Sequence, residues 1–188
     1  MSWIEPVMPW ALGPDYPRWS EQLRDGTGVT IRPISSADFE REREFIQALS
    51  PQSRRFRFLG QIGEPSEQLL AELTNIDYSH DAAFSAVVSE GSDGRFLGVS
   101  RYNTSGANSC ECAVTVLDDW QQRGLGTALM KHLIRVARAR GISFMYSRDA
   151  SENRAMADLA RHLGFNRRVD PDDPSLIVHS LWLTTRPN

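Results

Sequence analysis

From Val29 onward the chain alternates between two hydrophobic periods. Val29 and Ile31 flank Thr30 and Arg32 in a period-two run that Pro33 stops, which predicts a short strand. Ser35 or Ser36 can cap a following helix that carries Phe39, Phe45, Ile46 and Leu49 and ends before Ser50-Pro51. Leu69, Leu70 and Leu73 predict a second helix over about 67–74. Two β-rich runs, 84–89 and 96–102, are joined by Gly91-Ser92-Asp93-Gly94, which reads as a hairpin; a third strand, 110–116, follows a polar turn over 103–108. The period then changes. Leu125, Leu129, Leu133 and Val136 recur at helical spacing, with Lys131, Arg135 and Arg138 on another face and Gly141 as the stop. A short strand near 143–147, a helix over about 151–163 closed by Gly164, and strands over about 165–169 and 176–183 finish the pattern. That order describes an α/β domain with a mixed sheet.

Residues 1–28 differ. They hold Trp3, Trp10 and Trp19 and four prolines without sustained periodicity, and read as an extended arm before a domain spanning 29–188. Tryptophan rings at that density favour burial on the same domain or on a partner subunit, which leaves a homodimer open. No apolar run is long enough for a membrane span, and the first residues lack a basic region followed by an apolar one, so a cytoplasmic protein is expected. The net charge of −3 argues against general nucleic-acid binding. Cys110 and Cys112 read as small core residues, the four histidines lack metal-ligand spacing, and no metal site is expected.

The chemistry gathers in 114–129. A strand runs into Gln121-Gln122-Arg123-Gly124-Leu125-Gly126-Thr127, which opens the longest helix. The first amides of such a helix have no intrahelical partner, and together with the helix dipole they attract a phosphate. Gly124 and Gly126 let a pyrophosphate approach the backbone, and Arg123 adds a positive charge. The turn is neither a dinucleotide fingerprint nor a P-loop, since Leu129 stands where the third glycine would be and no Gly-Lys-Ser/Thr follows.

Gln121 to Gly126 resembles the Q/R-x-x-G-x-G/A acetyl-CoA motif of the GNAT superfamily of N-acetyltransferases, at the strand-to-helix position where that family carries it. Asn153 with Leu163-Gly164-Phe165 resembles the family's later motif. Within the superfamily the chain is most similar to the acetyltransferase domain of Pat-type bacterial protein lysine acetyltransferases, through Ile31-Arg32-Pro33-Ile34, Leu49-Ser50-Pro51, Ile76-Asp77-Tyr78, Gly98-Val99-Ser100-Arg101 and Asp118-Asp119-Trp120-Gln121. The resemblance implies a mixed, mostly antiparallel sheet of about six to seven strands flanked by helices, with a splayed central strand pair. It also implies acetyl-CoA as cosubstrate and acetyl transfer to a primary amine, with a protein lysine as the favoured acceptor. A small-molecule amine, or a non-catalytic CoA-binding regulatory module, are the alternatives.

Direct transfer needs a neutral amine, whereas a lysine amine in water has a pKa of ~10.4, so a base must take its proton. Glu111 lies between the two cysteines, and strand alternation turns it to the opposite face; a Glu at this strand position is the base that the resemblance implies. The resemblance places Val114, Val116, Leu117, Gln121, Gln122, Arg123, Gly124, Leu125, Gly126, Thr127, Asn153 and Met156 around acetyl-CoA. The N–H of Val116 or Leu117 serves the developing oxyanion, and Asn153 either bonds the pantetheine or caps its helix. The family's usual tyrosine for the leaving thiolate is replaced by Ala160, which leaves that proton to water, Tyr102 or Tyr146. Arg54, Arg55 and Arg57 form a basic cluster in the loop between the first two helices, which the resemblance places at the border of the acceptor site; an ordinary solvated loop and a contact to an acidic substrate are both open.

Overall fold

The structure is a computed structural model and describes residues 18–60, 63–88 and 94–184. One sheet of eight strands organises them, in the order β1-β2-β3-β4-β5-β6-β8-β7. Its strands are β1 (Trp19–Gln22), β2 (Gly28–Pro33), β3 (Asp81–Val88), β4 (Gly98–Gly106), β5 (Ser109–Val116), β6 (Phe144–Ala150), β7 (Asn166–Val169) and β8 (Leu176–Trp182). All neighbours are antiparallel except β5 and β6. The helices are α1 (Phe39–Ala48), α2 (Pro51–Phe58), α3 (Glu67–Thr74), α4 (Leu125–Ala139) and α5 (Arg154–His162).

Two apolar layers sandwich the sheet. On one face α4 buries Leu125, Leu129, Leu133 and Val136 against Ala82, Phe84, Tyr102, Cys110 and Cys112, while Lys131, Arg135 and Arg138 face water as the helical period requires. On the other face Phe45, Ile46 and Leu49 of the α1 segment and Leu70 and Leu73 of α3 cover Ala83, Val87 and Val99. Strand alternation sends the even-numbered residues of β5 to the α4 side and Glu111, Ala113 and Thr115 to the α1–α3 side.

Three expectations are corrected. The sheet has eight strands rather than six to seven, because Trp19–Gln22, within the stretch that reads as an arm, pairs with β2; Met1 to residue 17 and the turn residues 91–93 lie outside the described residues. The turn expected over 103–108 is shorter, since β4 continues to Gly106 through an irregularity between Thr104 and Gly106. The loop expected around Arg54, Arg55 and Arg57 is helix α2, which carries few apolar residues and so shows little hydrophobic periodicity. Its start is nevertheless well signalled. Ser50 is the N-cap, accepting from the Ser53 N–H at 3.2 Å, and Pro51 takes the first turn.

Candidate active site

β5 and β6 pair only from Ser109↔Phe144 to Glu111↔Tyr146 and then part. A cleft of about 1130 Å³ follows the gap; it is walled by β5, the 121–127 loop, α2, α3 and the start of α5. Of the residues expected around the cosubstrate, Val114, Val116, Gln121, Gln122, Gly124, Leu125, Gly126, Thr127, Asn153 and Met156 line it, as does Glu111.

The Leu117 N–H donates to the Leu97 carbonyl at 2.9 Å, which makes that pair a hydrogen-bonded one. In an antiparallel ladder such pairs alternate, so the N–H and C=O groups of Val114 and Val116 point away from β4, into the gap that β6 has left. Of the two oxyanion-donor candidates Leu117 is therefore spent, buried and outside the cleft lining, and Val116 is open. The Val116 carbonyl accepts from the Gln121 side chain at 3.2 Å, tying the loop to the strand end.

The start of α4 is open as well. The Ala128 N–H is bonded to the Gly124 carbonyl at 3.0 Å, which leaves the N–H groups of Leu125, Gly126 and Thr127 without intrahelical acceptors, and no side chain caps this end. Gly124 is left-handed at φ 92°, a conformation that glycine adopts without penalty. At Gly126 an added Cβ would meet Leu159 Cδ2 at 3.4 Å and Val116 Cγ2 at 3.7 Å, so the packing of the protein's own atoms tolerates a methyl group there. The free amides and the bare backbone fit a pyrophosphate. Arg123 is directed elsewhere: it pairs with Asp25 at 3.1 Å and lies over the Trp120 ring at 4.8 Å, outside the lining. Arg24, between β1 and β2, lines the cleft beside Gly124 instead, with its N–H bonded to the Arg123 carbonyl at 3.1 Å. Sequence reading misses Arg24 because it falls within the stretch that reads as an arm.

Asn153 is the N-cap of α5, its side-chain Oδ1 accepting from the Met156 N–H at 3.1 Å. At the other end of the cleft, Asp81, Asn103, Glu111 and Tyr146 form one cross-strand row on the α1–α3 face, and the first three line the cleft. Glu111 is exposed to it. Burial pushes the Cys110 thiol up to about 12 and raises Cys112 well above its ordinary value, so neither is a nucleophile at neutral pH. Ala160 is packed in the α4–α5 core. Tyr102 is fully buried, its hydroxyl accepts from Arg140 at 2.7 Å, and burial raises its pKa to about 12, while Tyr146 lies outside the lining.

α2 closes the cleft on its other side. Asp118 accepts from the Ser50 N–H at 3.0 Å and from the hydroxyls of Ser50 and Ser53 at 2.8 Å each, which ties α2 to the start of the 121–127 loop. Partial burial raises the Asp118 pKa, but these bonds outweigh it and the carboxyl sits below its usual range. Arg55 forms an ion pair with Glu152 across the cleft. Neither Asp118 nor Glu152 stands out in the sequence as a site residue; each is brought to α2 from far along the chain.

An α/β fold with this splayed strand pair and an open helix start beside it is that of an acetyltransferase, and residues 46–165 match the family model for the acetyltransferase (GNAT) family. The chain belongs to that family. It is 51% identical over 166 residues to Acetyltransferase PA5475 of Pseudomonas aeruginosa, covering 88% of this chain and 89% of that one. It is 32% identical over 145 residues to Acetyltransferase Pat of Mycolicibacterium smegmatis, covering 76% of this chain but 43% of the relative. The crystal structure of the GNAT domain of S. lividans PAT superposes with a TM-score of 0.82 at 26% identity, covering 89% of this chain and 99% of that domain. Among the described residues no helix is long and apolar enough to cross a membrane.

Proposed function

We propose that the protein transfers an acetyl group from acetyl-CoA to a primary amine, with a protein lysine as acceptor and Glu111 as general base. The observation that carries the reading is the position of Glu111 at the last β5–β6 pair, where the gap begins whose far end is the uncapped start of α4. The amides of Leu125, Gly126 and Thr127 hold the pyrophosphate, and the edge groups of Val114 and Val116 hold the pantetheine arm. Glu111 takes a proton from the ammonium, directly or through one water, and the freed amine attacks the thioester carbonyl. The Val116 N–H donates to the developing oxyanion as the new C–N bond forms and the C–S bond breaks. The second proton, shed by the nitrogen once the C–N bond has formed, passes through water to the departing thiolate, since Tyr102 is buried against Arg140. Holding both reactants in one cleft supplies much of the acceleration.

The lysine acceptor is supported by the likeness to Pat over most of this chain and by the apolar walls of Phe56, Phe58, Leu69 and Leu73 that lead to Glu111, which suit an aliphatic stem. Calorimetric titration with acetyl-CoA, followed by thiol release in the presence of lysine peptides and of small amines, tests the reading. Release with peptides is expected. Binding without release from any amine would leave a CoA-binding module, and release with free amines alone would make the acceptor a metabolite.

A further inference from the structure

The acceptor end of the cleft contains two guanidinium groups that the transfer step does not use. Arg101 on β4 and Arg57 on α2 both line it, and Glu42 of α1 lies buried behind Arg101. Arg101 donates to Glu42 Oε1 at 3.3 Å and to the Leu73 carbonyl at 3.2 Å, with the two side chains 9% and 2% exposed. Its Nε is buried without a partner, as is the second oxygen of Glu42. Arg57 has neither an ion pair nor a side-chain hydrogen bond among the described residues, and its guanidinium lies 5.2 Å from the Phe58 ring. Glu72 and Asp81 share this end of the cleft, yet neither bonds either guanidinium, so the Arg57 donors stay open. Partial burial, then the charge of Arg101, lowers the Arg57 pKa to about 10; burial also raises Glu42, against the opposing pull of Arg101 and Arg57. The Arg101 guanidinium is withdrawn from water with its Nε unmatched, which is costly unless an anion arrives to meet it, and the half-buried Arg57 adds a second set of donors beside it.

We propose that Arg57 and Arg101 form an anion subsite that takes a carboxylate carried by the acceptor, so that the amine at Glu111 and this carboxylate belong to one molecule. The inference rests on the reading of Glu111 as the base. Arg101 pairs with Ala113, two residues from Glu111 on the same face of β5. Strand geometry then separates the Cα atoms of Arg101 and Glu111 by on the order of 8 Å, a distance that a lysine stem or an adjacent residue can bridge. Phe56, Leu69 and Leu73 wall the space for the methylenes. The carboxylate can come from an acidic side chain beside a target lysine or from a free amino acid.

The test compares probes that differ only in that group. Thiol release with acetyl-CoA is measured for Nα-acetyl-lysine against its amide, and for a short peptide with Glu beside the lysine against the same peptide with Gln. The carboxylate member of at least one pair is expected to show kcat/KM at least about tenfold higher, the scale of one charge-assisted hydrogen bond. Arg57→Gln brings the ratio near one and Arg57→Lys retains part of it; which pair discriminates identifies the source. Ratios near one in both pairs, or a ratio unchanged in Arg57→Gln, overturn the subsite. Binding of Nα-acetyl-norleucine against its amide, with CoA present, separates the two readings. If the carboxylate form binds better and Arg57→Gln removes the preference while no amine is acetylated, the subsite stands and the transfer reading fails. If rate and binding both ignore the carboxylate, the subsite fails whatever the turnover.

Discussion

Asp118 and Ser50 stand 68 positions apart in the chain, and the carboxylate of one occupies the helix start capped by the other, with contacts of 2.8 and 3.0 Å. The negative charge meets the Ser50 N–H and the positive end of the α2 dipole. Asp118→Ala is expected to cost about 1 kcal/mol, the usual scale for a lost cap, and to raise amide exchange across α2 in hydrogen-exchange measurements. Its carboxyl is depressed in the folded state, so this contribution is present above the ordinary carboxylate pKa of ~3.9 and is lost as pH falls through the folded value. Unchanged exchange across α2 in the variant would refute the link.

Glu111→Gln keeps size and polarity and removes the base. On the proposed mechanism turnover at neutral pH falls by about 10²–10⁴-fold, the range a positioned base contributes. Acetyl-CoA affinity, measured by calorimetry, changes little, and so does the urea midpoint, because the side chain is exposed. Wild-type turnover in the variant would remove Glu111 from the mechanism.

Gly126→Ala separates packing from ligand approach. The nearest atoms to an added Cβ are 3.4 and 3.7 Å away, and alanine favours a helix over glycine by up to about 1 kcal/mol, so thermal stability should hold or rise. Acetyl-CoA affinity should fall at least about tenfold if the pyrophosphate lies against this backbone. Intact affinity would mean that the phosphates sit elsewhere.

His132 locks β1 onto α4. Trp19 stacks on its ring at 4.3 Å, Arg135 reaches its Nδ1 at 3.2 Å, and its Nε2 lies 2.6 Å from Glu21, so the ring is neutral with the proton on Nε2. Burial lowers its pKa against the opposing pull of Glu21. The folded state thus disfavours the cation: stability is full above the ordinary value of ~6.5 and declines as pH falls below it, by less than about 1.4 kcal/mol per pH unit. Urea unfolding across that range should show the decline, and His132→Gln should flatten it.

Much of the fold is legible in the sequence because it follows from local rules. The spacing of Leu125, Leu129, Leu133 and Val136 specifies both α4 and its buried face, and alternation around Cys110 and Cys112 specifies which way Glu111 points. The glycine turn at 124–126 is recognisable as a helix start open to an anion. The elements missed are those stabilised by distant partners. β1 gains its place from backbone pairing with β2 and from His132, and α2, whose Ser50-Pro51 start is local but whose few apolar residues give little periodicity, is anchored by Asp118 from far along the chain.

The chain pattern alone determined the order of strands and helices apart from β1 and α2, the two faces of β5 and the phosphate-seeking turn, since each depends on neighbours within about one helical turn or two strand residues. Tertiary structure decided which backbone groups were left free. It committed Leu117 to Leu97 and left Val116 open, drew Arg123 to Asp25 and put Arg24 at the cleft, and set Arg57 beside Arg101 with one buried carboxylate behind them. A hydrogen-bond partner or a counter-charge can come from any distance along the chain, so its identity is fixed only once the layers have packed.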